Sequence, residues 1–206
     1  MTSSTDDTHG RLLRTASRLF TQKGYDAVSV REITAAAHVN LGAVSYHFGS
    51  KQALYHAAIE SMAGPLGTLV AAIANSGQPP VQQVEAIVRG IMAHLLENPG
   101  APVILLREIA DDRPLPPPIA KLLRQNLSAL TTILAAGQRD GSFRQGDPRL
   151  LAMTVMSQPF FVRAARRIIQ TAVNIDPGAP DQEARITDHV VEGVLRSIAR
   201  TPEVGP

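Results

Sequence analysis

The side chains near the amino end with the greatest chemical reach are Tyr46 and His47, with Lys51 four positions on and Ser29, Arg31, Asn40 and Ser45 upstream. Hydroxyls, a carboxamide, an imidazole and two cations all donate hydrogen bonds to anionic oxygens, and the same groups can read base edges. Catalysis finds no comparable set. The sequence holds no nucleophile elbow, no Gly-rich phosphate loop and no His-Glu-x-x-His, so no catalytic residue is expected. His38, His47 and His56 recur every nine residues, whereas chelation from one helix wants spacings of three or four, so no metal is expected. Glu108 and Asp112 could share a helix face as a carboxylate pair, but their alternation with Arg107, Asp111 and Arg113 reads as a solvated, salt-bridged face. There is no cysteine, which excludes disulfides and thiolate metal sites, and nothing implies a cofactor.

The elements that must carry these groups are helices. Leu12, Leu13, Ala16, Leu19 and Phe20 recur at helical spacing from Arg11 to Lys23, with Gly24 as the C-terminal cap. Ser29-Val-Arg-Glu32 fits a capping box that opens a second helix running to about Ala37. Asn40 is expected to cap a third helix through about His47, and Ser50 a fourth that begins Lys-Gln-Ala-Leu-Tyr and continues through Ile59. Beyond it, Pro and Gly divide the chain into helices at about 81–97, 102–111, 117–140, 148–174 and 181–200, with no alternating strand pattern.

At about 100° per residue, the third helix turns Leu41, Val44 and Phe48 to one side and Ala43, Tyr46 and His47 to the other. The first set is expected to pack inward and the second to face a major groove, Ala43 allowing close approach. Charge points the same way. Residues 10–56 carry six basic and two acidic groups, an excess of four, whereas residues 57–206 hold fourteen of each. A polyanionic partner would be met at the amino end.

The run S-V-R-E-I-T-A-A-A-H-V-N-L-G-A-V-S-Y-H-F-G-S-K-Q-A-L-Y resembles the amino-terminal signature of TetR-type regulators, over roughly residues 10–58. The resemblance implies an all-α chain: a three-helix helix-turn-helix head at residues 1–56, then a helical effector-binding and dimerisation domain at residues 57–206. It implies a sequence-specific transcriptional regulator, most often a repressor released from a palindromic operator by a small molecule. Ser29, His47 and Lys51 would meet phosphate, and Ala43 and Tyr46 bases or backbone. The whole expected DNA surface is Ser29, Arg31, Asn40, Gly42, Ala43, Ser45, Tyr46, His47 and Lys51. Two positions depart from the pattern: Leu41 stands where a lysine is often found, and Ser45 where a tyrosine is common. The stretch Val39–Phe48 is similar to the CecR-like subgroup, whose second domain also has a Leu-Arg-Glu segment resembling Leu106-Arg107-Glu108.

The carboxy-terminal helices hold more apolar residues than one core-facing stripe requires. Ile168, Ile169, Val190, Val191, Val194, Leu195 and Ile198 are therefore expected to include the face that meets a second subunit, as in the family's four-helix bundle. Met62, Leu66, Met92, Leu95, Leu106, Met156 and Phe160 could line an effector pocket, with Arg107 and Gln158 as polar anchors. With no tryptophan and few aromatics, an apolar or weakly acidic effector is expected. The polar, acidic start MTSSTDDTHGR is unlike a signal peptide, and the apolar stretch from Met62 to Ala74 is short and interrupted by Gly64, Pro65 and Gly67. A cytoplasmic protein with no membrane partner is the expectation. The competing readings are a helical enzyme or ligand-binding module without a DNA role, and an architectural nucleic-acid protein without sequence preference.

Overall fold

The computed structural model describes residues 3–200, with side chains from Asp7 onward. Ten helices run through the described residues: α1 Ser3–Lys23, α2 Val30–Ala36, α3 Ala43–Phe48, α4 Lys51–Ala74, α5 Pro80–Glu97, α6 Gly100–Ala110, α7 Pro117–Arg139, α8 Pro148–Ala164, α9 Arg166–Val173 and α10 Pro180–Ile198. Extended pairing among them is limited to one antiparallel bridge, Phe143 to Ala199. The chain gathers into two compact units. One comprises the chain to Gly64 with Gly100–Lys121, and the other Pro65–Pro99 with the chain from Leu122 on. The expected division after residue 56 lies inside the continuous α4.

In the first unit, Leu12, Ala16, Leu19 and Phe20 form the buried stripe of α1. Gly24 ends that helix at φ +84°, its amide donating to the Phe20 carbonyl at 2.8 Å. The helix starts earlier than the apolar stripe suggested. Asp7 pairs with Arg11 one turn on, at 3.3 Å, so charge pairing sustains helix where hydrophobic periodicity is silent. Ser29 caps α2 as expected: its hydroxyl accepts the Glu32 amide at 3.1 Å. The Glu32 carboxyl is held below its ordinary range, first by Lys23 and further by the Ser29 backbone. Ser50 caps α4, accepting the Ala53 amide at 3.0 Å.

Two expectations about elements fail, each for a physical reason. Asn40 does not cap α3. Its carbonyl accepts the Ala43 amide at 3.1 Å in a tight turn, which moves the cap position to Gly42 and shortens the helix to six residues. The fourth helix continues through Ile59, as expected, and passes through Gly64, Pro65 and Gly67 to Ala74. This makes α4 long and apolar enough, by length and composition, to cross a bilayer, while Leu54, Tyr55, Ala58 and Ile59 pack against protein. The expected helix over 148–174 is two helices, broken at Ala165. Around that break, Arg163 reaches the Met92 and Pro177 carbonyls and Glu183, and Arg166 clamps Asp176, so two arginines anchor the turn before α10.

The core of the second unit is α5 packed against α8 and α10. Val84, Ile87, Val88, Ile91 and Met92 meet Leu151, Ala152 and Val155 from α8 and Val190, Val191, Val194 and Ile198 from α10 there. Two acid-side anchors hold the ends of this unit. Asp147 caps α8 and is gripped by Arg149 at 2.6 Å, which, with the Arg149 amide, lowers its carboxyl from 3.8 to about 2. Arg166, and then the Gly178 amide, do the same for Asp176, again to about 2. A depressed folded-state pKa stabilises above the unfolded value and is lost as pH falls through the folded one. The acid limb of a circular dichroism titration should therefore carry a loss between about pH 4 and pH 2, and Asp147→Asn with Asp176→Asn should flatten it. An unchanged limb would show that these carboxylates do not differ between folded and unfolded chain.

Candidate nucleic-acid interface

The short helix α3 presents its side chains differently from its expected two-sided pattern. Val44 is buried, and Phe48 is half-buried, as expected for the inward side. Tyr46 projects into solvent at 80% exposure, and Ser45 is exposed beside it. Leu41 and Ala43, however, exchange roles: Leu41 is 52% exposed, and Ala43 is buried. The cause is the shifted cap. Leu41 lies in the turn before the helix, where a 100° wheel does not apply, and Ala43 becomes the first helical residue, pressed toward the head's core.

Around Tyr46 lies an open concavity of about 590 Å³ whose lining includes Asn40, Gly42, Ala43 and His47. These five are among the nine residues expected to meet DNA, so the fold brings a majority of that set to one place. Ser29 and Arg31 are exposed on the start of α2, and Lys51 opens α4. Ser29 spends one lone pair on its cap yet keeps its O–H to give to a phosphate.

Thr8, Arg11 and His38 line the same concavity and were not foreseen as site residues. Arg11 stands at the start of the helix that the sequence marks, and the earlier start of α1 adds Thr8 to the lining. His9, also on α1, stacks on Phe48 with centroids 4.5 Å apart and meets His47 edge-on at 6.1 Å. The first turns of α1 thus brace the end of α3. The Lys51 ammonium stands 4.2 Å from the centre of the Tyr25 ring.

Behind this surface, α6 is tied to the head. The Tyr55 hydroxyl donates to the Glu108 carboxylate at 2.5 Å, and burial, then that carboxylate, push the phenol far above its ordinary range. Arg113 bridges Asp111 at 2.6 Å and Asp26 at 3.0 Å, the salt-bridged face expected of this segment, although Glu108 is spent on the tyrosine instead. Arg107, expected as a pocket anchor, donates to the Gln22 carbonyl at 3.0 Å and crosses Gly24, where any Cβ would come within 2.5 Å of its guanidinium. It is a cation on the carbonyl end of α1, the sign that a helix C-terminus favours. Leu106, also expected in the pocket, is exposed.

Of the remaining pocket candidates, Leu66, Met92 and Leu95 are buried, and Met62, Met156, Gln158 and Phe160 are half-buried. Asn126 on α7, which no sequence pattern marks, is 1% exposed with neither carboxamide atom hydrogen-bonded within the protein. The expected dimer residues divide sharply. Val190, Val191, Val194 and Ile198 are buried within their own subunit, so they form its core and not a face for a second copy; Leu195 is half-buried. Their spacing of one, four and eight is a single helical stripe, which α5 and α8 already cover. Ile168 is 70% exposed, Ile169 half-buried, and the most exposed large apolar side chains of this unit are Leu150, Met153 and Phe161 on α8 with Ile168 and Val173 on α9.

A family model described as bacterial regulatory proteins of the tetR family matches residues 12–58, and one for the tetracyclin repressor-like C-terminal domain matches residues 80–194. The probable HTH-type transcriptional regulator YttP of Bacillus subtilis is 33% identical over 107 residues, covering 51% of this chain and 52% of YttP, about half its length. The HTH-type transcriptional repressor NicS of Pseudomonas putida is 23% identical over 204 residues, 95% of this chain and 94% of NicS. Among solved structures, a tetR-family regulatory protein from Rhodococcus RHA1 has a TM-score of 0.75 at 22% identity, covering 95% of this chain and 98% of that one. AibR, solved with isovaleryl coenzyme A and operator DNA, has a TM-score of 0.71 at 17% identity, with 90% and 97% covered. At such identities these two show a shared fold.

Proposed function

Because the chain belongs to the TetR family of bacterial transcriptional regulators, we propose that it is a repressor whose paired heads hold a palindromic operator and release it when a small molecule binds. Residues 1–56 read the DNA, and residues 57–206 take the effector and the second subunit. The observation that carries this reading is Tyr46, an aromatic 80% exposed on α3 beside the buried Val44. An exposed phenol on a cationic head gains little from solvent and much from a groove.

Two heads in successive turns of the major groove suit an inverted-repeat site, and the apolar side chains left open on α8 and α9 support pairing through that face. The effector must bind the two head spacings with different affinity, since only that difference shifts the equilibrium. Asn126 supports a polar anchor for it, because a buried carboxamide without partners costs free energy that a donor-acceptor ligand would offset. A carboxylic acid or its thioester on an apolar chain would supply such groups, consistent with an apolar or weakly acidic effector. In this reading the chain catalyses nothing and works in the cytoplasm on DNA.

The test begins with fragments selected from the parent genome. A bound palindromic fragment should show affinity that falls with salt, and Tyr46→Ala with Lys51→Ala should weaken it by roughly 30- to 300-fold. Equal affinity for a scrambled fragment at physiological salt would favour an architectural protein instead. Unchanged binding by the double variant would remove Tyr46 and Lys51 from the interface.

A further inference from the structure

The geometry points to Tyr25 as a positioning residue for DNA binding: its ring holds the Lys51 ammonium where a backbone phosphate meets it. This rests on the reading that Lys51 contacts phosphate. The Lys51 Nζ lies 4.2 Å from the Tyr25 ring centre, within the range of a cation over an aromatic face. Tyr25 follows the α1 cap at Gly24 and is braced from within the head. Its ring lies 4.9 Å from that of Tyr55 and 6.0 Å from that of Phe20. Tyr55 is in turn fixed by the Glu108 carboxylate at 2.5 Å. The ring is therefore a firm support and not a loose neighbour.

What separates this support from an ordinary salt bridge is the charge it leaves available. Two other cations of the head are tied to carboxylates, Arg11 to Asp7 at 3.3 Å and Lys23 to Glu32 at 2.7 Å, and a phosphate would have to displace those. Lys51 is in none of the carboxylate pairs found among the described residues. A ring attracts an ammonium without neutralising it, so its charge and the N–H donors that point away from the ring remain for oxygen. A lysine also loses much rotamer freedom when it is fixed on a phosphate. Restricting it beforehand against Tyr25 lowers that loss, and the effect is paid into affinity once per head.

The experiment measures the affinity of the full-length dimer for the selected palindromic fragment by fluorescence anisotropy, in wild type, Tyr25→Leu, Tyr25→Phe, Lys51→Gln and Tyr25→Leu with Lys51→Gln. Tyr25→Leu should weaken binding by about two- to fivefold per head, or roughly four- to twenty-fivefold for two heads, and Tyr25→Phe should rescue most of it. In the Lys51→Gln background, Tyr25→Leu should change affinity by less than about twofold. Equal weakening in both backgrounds would reduce Tyr25 to a packing residue. Unchanged or tighter binding by Tyr25→Leu would mean that the ring does not prepare the lysine. If Lys51→Gln alone is silent, the phosphate reading has failed, and the proposal with it; that failure is read from the lysine variant without reference to Tyr25. Thermal midpoints check that each variant is folded, and Tyr25→Met replaces Tyr25→Leu if the latter is not.

Discussion

A chain carrying Met153→Asp and Phe161→Asp is expected to run as a folded monomer and to bind a palindromic operator roughly a thousandfold more weakly than wild type. Both side chains lie open on α8, Phe161 at 62% exposure, so the substitutions add charge to a surface and create no cavity in the subunit. In a two-fold interface, each change occurs twice and places like charges near the axis. Losing the burial of one phenylalanine costs about 1.5–3 kcal/mol per side, and a desolvated carboxylate costs more. A single head then lacks the second head's effective concentration, which commonly multiplies affinity by about 100- to 10,000-fold. Light scattering reports the mass, and anisotropy the affinity. A variant that remains dimeric would move the interface off this face. One that is monomeric yet binds as wild type would refute reading by paired heads.

That prediction uses Met153 and Phe161, which the sequence did not assign to the second subunit, although it did assign Ile168. Hydrophobic periodicity identifies which residues of a helix are apolar on one side, as it does for Val190, Val191, Val194 and Ile198, but it is silent on what covers that side. Here α5 and α8 of the same subunit cover it. Signals confined to a few neighbouring residues were more legible. The caps at Ser29 and Ser50 and the positive φ of Gly24 depend on contacts within three or four positions, and all three form. Asn40 was misleading because its turn competes with a cap at the same spot, and a six-residue helix is too short for a wheel to assign faces to its flanks. Longer-range contacts leave no local trace. Nothing around residue 25 announces Lys51, and nothing around Asn126 announces that its carboxamide is buried.

Arg163 is the long-range contact whose removal should cost the most stability. Its side chain is 3% exposed, and its guanidinium joins three parts of the second unit: the Met92 carbonyl of α5 at 3.2 Å, the Pro177 carbonyl before α10, and Glu183 of α10 at 2.5 Å. Arg163→Met keeps much of the apolar stem, yet it strands the Pro177 carbonyl and the Glu183 carboxylate, whereas the Met92 carbonyl lies within α5. Breaking one side of a buried pair costs about 3–5 kcal/mol. Glu183 retains 24% exposure and can recover some hydration, so the lower end, about 3 kcal/mol, is expected. For a chain of this size, that lowers the melting temperature by roughly 6–12 °C. Glu183→Leu in the same chain should recover part of the loss, because removing both charges leaves no unpaired carboxylate, whereas the Pro177 carbonyl stays unsatisfied. A melting temperature within about 2 °C of wild type for Arg163→Met would mean that the guanidinium's three bonds only balance the cost of burying it.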